Sequence, residues 1–177
     1  MGYNYPILRR KRVTNMQYTV RKANWDDLPV IEQIYANARR FMAQTGNPNQ
    51  WGNTTPVTSL LEDDICKGDL YVMVDDDVIH GVFYFYIGID PTYGDIEDGS
   101  WTSDTPYGTI HRIAGDGSGG TLATAVAFAK ERINHIRIDT HEDNKIMQRA
   151  IAKQGFSRCG IIHLANGSPR IAYALLT

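Results

Sequence analysis

Residues 107–130, YGTIHRIAGDGSGGTLATAVAFAK, decide the fold. Residues 109–114 are rich in β-branched and apolar residues, a pattern that predicts a buried strand. Six residues with little side-chain bulk follow at 115–120, and apolar residues then recur at helical spacing. A strand, a glycine loop and a helix in this order expose backbone N–H groups at a helix N-terminus, which favours binding of an anion such as phosphate.

This glycine loop differs from two well-known phosphate motifs. A P-loop requires Lys followed by Ser or Thr after its glycines, whereas Thr121 and Leu122 follow here. The dinucleotide fingerprint requires another spacing of its third glycine, although Asp139 lies about 20 residues further on, where that motif has an acidic residue. The loop by itself therefore fits a tight connection as well as it fits a phosphate site.

The composition is that of a globular protein with one domain. The chain has 177 residues, of which 42% are hydrophobic and 21% charged. The formal net charge of −2 gives no electrostatic reason to expect nucleic acid or a membrane surface as a partner. The two cysteines, Cys66 and Cys159, fit a reducing compartment, so we expect a cytoplasmic protein. No apolar run reaches the ~18–20 residues that cross a bilayer.

Residues 1–15 form a basic appendage. The run RRKR at 9–12 is not followed by an apolar segment, so it is not a secretory signal. We expect a disordered, solvated tail, with Met16 an alternative start for a single domain at 16–177. An arm that binds nucleic acid is the lesser alternative.

The rest of the chain alternates between strand and helix patterns. Strands are predicted at 18–22, 70–74, 78–89, 109–114, 135–140, 157–164 and 170–176. Helices are predicted at 28–42, 57–67, 144–154 and directly after the glycine loop. The order β-α-α-β-β-β-α-β-α-β-β predicts an α/β fold with a mixed sheet covered by helices.

These segments resemble the GCN5-related N-acetyltransferase (GNAT) family over residues 16–177, and most strongly over 110–160. IHRIA precedes the glycine loop, and Asn144, Met147 and Gly155-Phe156 sit where the family has its N-x-x-M/A … G-F segment. The resemblance implies the acyl-CoA N-acyltransferase fold, a mostly antiparallel central sheet with flanking helices. It also implies a bacterial-type acetyltransferase that uses acetyl-CoA.

The resemblance also implies where acetyl-CoA lies. Loop amides would receive the pyrophosphate, backbone groups of the strand would bind the pantetheine arm and the acetyl carbonyl, and an asparagine would bond the arm from the opposite side. The corresponding residues are Ile113, Ala114, Gly115, Asp116, Gly117, Ser118, Gly119, Gly120, Thr121 and Asn144.

The chain departs from the family pattern at two positions. The loop is shorter, and Ala114 stands where the family has Arg or Gln, so phosphate binding would depend on backbone N–H groups. Ile151 stands where many members have a Tyr that protonates the departing thiolate.

Histidine is the side chain best suited to take a proton from an attacking ammonium near neutral pH. His111 is the first candidate as base or relay, and by resemblance it matches the aralkylamine acetyltransferase branch. His141 is the second, and an ordered water chain is a further alternative. A strand N–H near Ile113 would stabilise the oxyanion. The histidines show no metal-ligand spacing, so we expect no metal.

Aromatic residues in the variable parts are candidates for the acceptor pocket: Trp51, Tyr86 (or its neighbour Tyr84) and Trp101. We expect transfer of an acetyl group to a primary amine of a small molecule or peptide, by direct attack in a ternary complex. The alternative is a non-catalytic GNAT-like module that binds acyl-CoA or acts as a sensor; a phosphate-binding domain of another class comes third. A homodimer through an exposed sheet edge stays open.

Overall fold

The computed structural model describes residues 18–177, so the predicted tail at 1–15 lies outside the described part. The strands are β1 (Thr19–Lys22), β2 (Leu70–Asp75), β3 (Val78–Ile87), β4 (Gly108–Gly115), β5 (His135–Thr140), β6 (Ser157–His163) and β7 (Pro169–Leu176). The helices are α1 (Leu28–Gln44), α2 (Thr58–Lys67), α3 (Thr121–Lys130) and α4 (Lys145–Lys153), with short 3₁₀ helices at Trp25–Asp27 and Pro91–Tyr93. The predicted order of elements and the α/β fold class are confirmed. None of the helices in residues 18–177 is both long and apolar enough to cross a lipid bilayer.

The seven strands form one sheet in the order β1-β2-β3-β4-β5-β7-β6. All neighbours are antiparallel except β4 and β5, which α3 connects and which therefore run parallel. This parallel pairing is short, because it joins Gly108–Ile110 only to Ile136–Ile138. Beyond Ile110 the two strands are no longer paired, and a cleft opens between their C-terminal halves.

Local signals in the sequence explain where the helices begin and end. Asn24 and Asp27 form a reciprocal capping box ahead of α1. The Asn144 side chain accepts a hydrogen bond from the Met147 amide and so caps α4. Gly155, with φ +87°, then ends α4, as the sequence predicts.

Each face of the sheet is covered by its own hydrophobic core. Under α3 and α4, Phe83, Ile110 and Ile138 pack with Val126 and Ile151. Under α1 and α2, the core consists of Ala23, Ile31, Ile34, Tyr35, Leu61, Ile65, Leu70, Val72, Val82 and Ala114. Burial of each large apolar side chain contributes about 1.5–3 kcal/mol, so the two cores hold β4 from both sides.

A third, smaller cluster fixes the long loop between β3 and β4 against the sheet. Tyr93 and Tyr107 from this loop pack with Ile162 and Ala172. The Arg137 guanidinium of β5 lies between the rings of Trp101 and Tyr107, at 3.8 and 3.9 Å from their centroids. The loop is thereby held in place along with Asp90 at its start.

A bulge in β4 directs two successive side chains to one face. Arg112 and Ile113 together oppose a single residue of β3, Phe83, and Arg112 has φ +49°. As a result His111 and Arg112 both lie against the Tyr84 ring, at 6.0 Å between ring centroids and 4.5 Å from guanidinium to centroid. This is the face covered by α1 and α2.

Candidate active site

A cavity of about 1010 Å³ follows the cleft between β4 and β5. It begins at the glycine loop, passes β4 from Ile110 to Gly115, and reaches His111, Asp90 and Arg170. The wall opposite includes α1, α2, and the start of α4. A cavity of this size is at the upper end of the ~300–1000 Å³ typical of ligand sites, so it has room for an extended ligand.

The glycine loop ends where α3 begins, with backbone groups available to an anion. Gly117 and Gly119 have φ +95° and +93°, a conformation that side-chain-bearing residues rarely adopt. Within residues 18–177 no side chain caps the N-terminus of α3. The N–H groups of its first turn are therefore free to bind a negatively charged ligand. The Tyr18 hydroxyl donates to the Gly119 carbonyl at 3.0 Å and fastens the loop to the sheet.

Asp116 places a carboxylate inside the same loop. Its Oδ1 accepts hydrogen bonds from the amide of Ser118, at 2.9 Å, and from the Ser118 hydroxyl. Its Oδ2 lies 2.8 Å from Nδ1 of His80 on β3. Burial raises the pKa of Asp116, but the Ser118 and His80 hydrogen bonds lower it more, so the carboxyl is ionised at neutral pH.

At the fork of the cleft, the His111 ring lies between two carboxylates. Nε2 is 2.7 Å from Oδ2 of Asp90, and Nδ1 is 3.3 Å from Oδ1 of Asp139. The Tyr93 hydroxyl donates to the same Asp139 oxygen at 2.7 Å. His111 is on β4 and Asp139 on β5, and the long loop supplies Asp90. The group thus assembles where the two strands separate.

These contacts set the charges of the group. Burial lowers the pKa of His111, but the hydrogen bonds and charges of Asp139 and Asp90 outweigh burial and raise it to about 9. Burial would raise the pKa of Asp90, yet hydrogen bonds from His111 and Thr92 bring it to about 2. Burial also opposes ionisation of Asp139, and His111 nonetheless lowers its pKa below the usual value. At neutral pH His111 is therefore an imidazolium between two carboxylates.

A second charged group lines the cavity beside His111. Arg112 pairs with Asp64 of α2, and the Tyr35 hydroxyl donates to the Arg112 carbonyl at 2.6 Å. Burial raises the pKa of Asp64 in spite of the guanidinium. The pair links α2 to the β4 bulge and forms the polar part of the wall.

Most of the predicted cofactor residues line the cavity: Ile113, Ala114, Gly115, Asp116, Gly117, Gly119, Thr121 and Asn144. Ser118 and Gly120 belong to the same loop and are not part of the wall. Asn144 donates from Nδ2 to Oε1 of Gln50 at 2.9 Å, and this nitrogen carries a second hydrogen for a ligand.

The other predicted residues divide into those at the cavity and those away from it. Trp51 lines it and packs edge-on against Tyr35. Tyr86 does not line it: its side chain is 40% exposed, and Tyr84 of the same strand forms the wall instead. Trp101 packs on the Tyr93 ring within the third cluster. Its indole N–H donates a hydrogen bond to the Tyr93 carbonyl, and its ring lies over the Arg137 guanidinium.

His141 also lies away from the cavity wall. Its Nδ1 accepts the Asp143 amide at 3.1 Å, which binds the ring to its own turn. Asp90, Asp139 and Arg170, by contrast, do line the cavity. The sequence analysis did not predict Asp90 or Arg170 as site residues, and it considered Asp139 only for its spacing from the glycine loop. Asp90 and Asp139 are not part of a sequence motif, because only the folded sheet and its loop bring them to His111.

Searches with the sequence against protein-family models and against curated proteins gave no match. The fold, however, matches solved structures. A GNAT-family acetyltransferase from Streptococcus agalactiae has 28% sequence identity to this chain and a TM-score of 0.80, over 90% of this chain and 95% of that one. The chain therefore has the fold of the GCN5-related N-acetyltransferases and is similar in sequence to a member of that family.

Two more distant GNAT-like structures share the fold alone. A ribosomal-protein-alanine N-acetyltransferase from Brucella melitensis is 18% identical, with a TM-score of 0.59 over 90% of this chain and 99% of that one. A chain of the NatC complex, solved with a Gag peptide and CoA, is 12% identical, with a TM-score of 0.57 over 92% and 99%. The β4–β5 cleft and its glycine loop are thus set in a GNAT fold.

Proposed function

We propose that this chain is a member of the GNAT family and an acetyl-CoA-dependent N-acetyltransferase that acts on a primary amine of a small molecule or peptide. The observation that carries the proposal is the continuity of the cavity. One space joins the glycine loop at the start of α3 to His111, which lies between two carboxylates where β4 and β5 separate. A bisubstrate reaction by direct attack needs such a space, because both reactants must be bound together.

The loop and the cleft fit the cofactor that the family implies. First-turn N–H groups of α3 suit the pyrophosphate, and β4 beyond Ile110 has no partner strand toward β5 in the described part of the chain. Its backbone groups at Ile113 and Ala114 are assigned to the pantetheine arm and the acetyl carbonyl, and Asn144 to the other side of the arm. When bound, acetyl-CoA supplies the acetyl group as a thioester.

The residues of the chain then hold the acceptor and move its proton. We assign His111, once its Nε2 has lost its own proton, as the base or relay that takes a proton from the acceptor ammonium, since a protonated amine nitrogen has no lone pair for attack. The Ile113 N–H is assigned to the acetyl oxygen as negative charge develops there. Tyr84, Trp51 and the Arg112–Asp64 pair form the acceptor wall.

A specific observation favours the alternative of a non-catalytic acyl-CoA-binding module. Ile151 is fully buried in the core under α4. It stands at the position where many GNAT members have the Tyr that protonates the departing thiolate. The thiolate would then leave without a side-chain acid from this position. Catalysis is unaffected if water protonates the thiolate.

The test is release of free CoA thiol from acetyl-CoA in the presence of a panel of primary amines. The proposal predicts amine-dependent thiol release by the wild type and a loss of about 10²–10⁴-fold in His111→Gln, the usual contribution of acid–base catalysis. His141→Gln is the matched control and should stay within about twofold of wild type. Acetyl-CoA binding without acetylation of any amine would support the non-catalytic module instead.

A further inference from the structure

The His111 ring has a carboxylate beside each of its two nitrogens. Asp90 faces Nε2 and Asp139 faces Nδ1, at 2.7 and 3.3 Å. An ionised carboxylate only accepts hydrogen bonds, so both neighbours favour a hydrogen on the ring nitrogen that faces them. In the free protein the Nε2–H of His111 is therefore already a positively charged donor to Asp90.

The two aspartates differ in their place in the fold and in their exposure. Asp139 is on a central strand, its side chain is 9% exposed, and it also accepts from Tyr93 and faces Arg170 Nε at 3.9 Å. Asp90 is on the loop, its side chain is 17% exposed, and its other oxygen is held by the neighbouring Thr92. Both carboxylates line the cavity, and Asp90 on the loop is the more exposed of the two.

We propose that Asp90 binds the ammonium group of the acceptor and that this ammonium replaces the Nε2–H of His111 as the cation at Asp90. Asp139 is the positioning residue that keeps the imidazole in place through Nδ1–H during the exchange. The inference rests on the proposed acetyltransferase function and names its substrate class: amines that are protonated at the working pH. Neutral amines, alcohols and thiols lack the charge that the exchange needs.

The protons balance in two steps. When the acceptor R–NH₃⁺ reaches Asp90, His111 releases its Nε2 proton to solvent, and the net charge of the group is unchanged. The Nε2 lone pair then faces the ammonium and takes one of its protons. The acceptor becomes R–NH₂ with a lone pair free for attack on the thioester, and His111 returns to the imidazolium.

The surrounding charges allow this exchange without a new imbalance. The groups around His111 are the carboxylates of Asp90 and Asp139, the Arg170 guanidinium, the Arg112–Asp64 pair, and the phenols of Tyr84 and Tyr93. Burial raises the pKa of both phenols, that of Tyr84 to about 12, so they stay neutral. The acceptor ammonium therefore replaces the His111 imidazolium as the cation beside Asp90, and the charges of the other groups do not change.

The first experiment follows the ring nitrogens of His111 by ¹⁵N NMR on the full chain at pH 8, with n-butylamine as probe and n-butanol as its uncharged control. The spectrum of the free protein should show both nitrogens protonated. Butylamine should convert Nε2 to the unprotonated form, and butanol should leave it unchanged. An Nε2 that stays protonated up to ~0.1 M butylamine, or that responds equally to butanol, overturns the proposal.

The second experiment separates the roles of the two aspartates with the best amine from the acceptor panel. Asp90→Asn should raise KM for the amine about 10- to 100-fold with kcat within about threefold, the effect of losing one charged hydrogen bond. Asp90→Glu should recover part of the affinity. Asp139→Asn should instead lower kcat, and Asp104→Asn, an exposed carboxylate of the same loop, should match the wild type.

The pH profile identifies the exchange itself. With a His111 pKa of about 9, KM should fall about tenfold per pH unit between pH 7 and 8.5 while kcat stays flat, because binding requires loss of the Nε2 proton. Asp90→Asn should remove this slope. A slope that appears in kcat rather than KM would contradict the exchange but leave acetyl transfer intact, whereas no acetyl transfer to any amine would refute the function beneath it.

Discussion

Replacement of Asp116 by asparagine should tighten the binding of CoA, because the glycine loop then loses an anion of its own. Oδ1 of Asp116 accepts from the Ser118 amide at 2.9 Å. A loop N–H suited to a phosphate oxygen is therefore already bonded to a carboxylate. Asparagine keeps an acceptor oxygen for this amide and removes the negative charge, so the turn is retained.

The size of the effect follows from the position of the carboxylate. A phosphate held by the loop would lie on the order of 5 Å from it. Two unit charges at that separation repel by roughly 0.8 kcal/mol in water and roughly 3 kcal/mol at an effective dielectric constant of about 20. The Asp116 side chain is 33% exposed, so the lower value is the better guide. We expect CoA to bind about 4- to 10-fold more tightly.

Calorimetric titration with CoA at low and high ionic strength measures this gain. Asp116→Asn should bind more tightly than wild type in low salt, and the difference should shrink near 1 M salt, where the Debye length falls to about 3 Å. Asp116→Ala should gain less, because it also loses the acceptor that orders the turn. Unchanged or weaker binding of CoA by Asp116→Asn in low salt would refute this electrostatic account of the loop.

Three further predictions concern stability, each measured by urea unfolding. Tyr93→Phe should lower the free energy of unfolding by about 1.5–3 kcal/mol, because it removes a buried hydrogen bond to the charged Asp139; a loss below about 0.5 kcal/mol would contradict this role. The pKa of His111 is about 9 in the folded protein and ~6.5 in the unfolded chain. Protonation of His111 therefore stabilises the folded state by up to roughly 3 kcal/mol; this contribution is complete below pH 6.5 and is lost as pH rises through 9. The wild type should therefore lose stability over this range and His111→Gln should lose less; parallel curves would argue against the ion pairs. Gly99→Ala should destabilise by more than about 2 kcal/mol, since its methyl group would overlap the Cys159 carbonyl, and a neutral result would place this loop differently.

The fold was predictable from the sequence because its signals are local. Strand alternation, helical spacing and end signals such as Asn144 and Gly155 each lie within one element, and their order limits the topology. The glycine loop was identified for the same reason. The likeness of residues 110–160 to the GNAT pattern then implied that the strand before the glycine loop lies against the cofactor.

The candidate site was less predictable, because its partners come from distant parts of the chain. His111 stands out by its chemistry, but Asp90 and Asp139 meet it only through the loop and the neighbouring strand. Trp101 looked like a pocket residue because it lies in a polar loop. In the structure Trp101 packs against the Arg137 guanidinium instead. The one sign of this contact in the sequence was a charged residue, Arg137, within a predicted strand.

The most direct test of the central claim is calorimetric titration of the full chain with acetyl-CoA, for the wild type, Gly119→Asp and Gly46→Asp. Both glycines have left-handed backbones, at φ +93° and +88°, and apart from the adjoining residues no atom of residues 18–177 lies within 4 Å of a Cβ added at either position. Steric and backbone effects are therefore matched, and only Gly119→Asp adds a charge at the glycine loop. We predict that wild type and Gly46→Asp bind acetyl-CoA with similar affinity and that Gly119→Asp binds at least about tenfold more weakly. Absence of binding by the wild type at millimolar acetyl-CoA, or equal binding by all three proteins, would contradict the account.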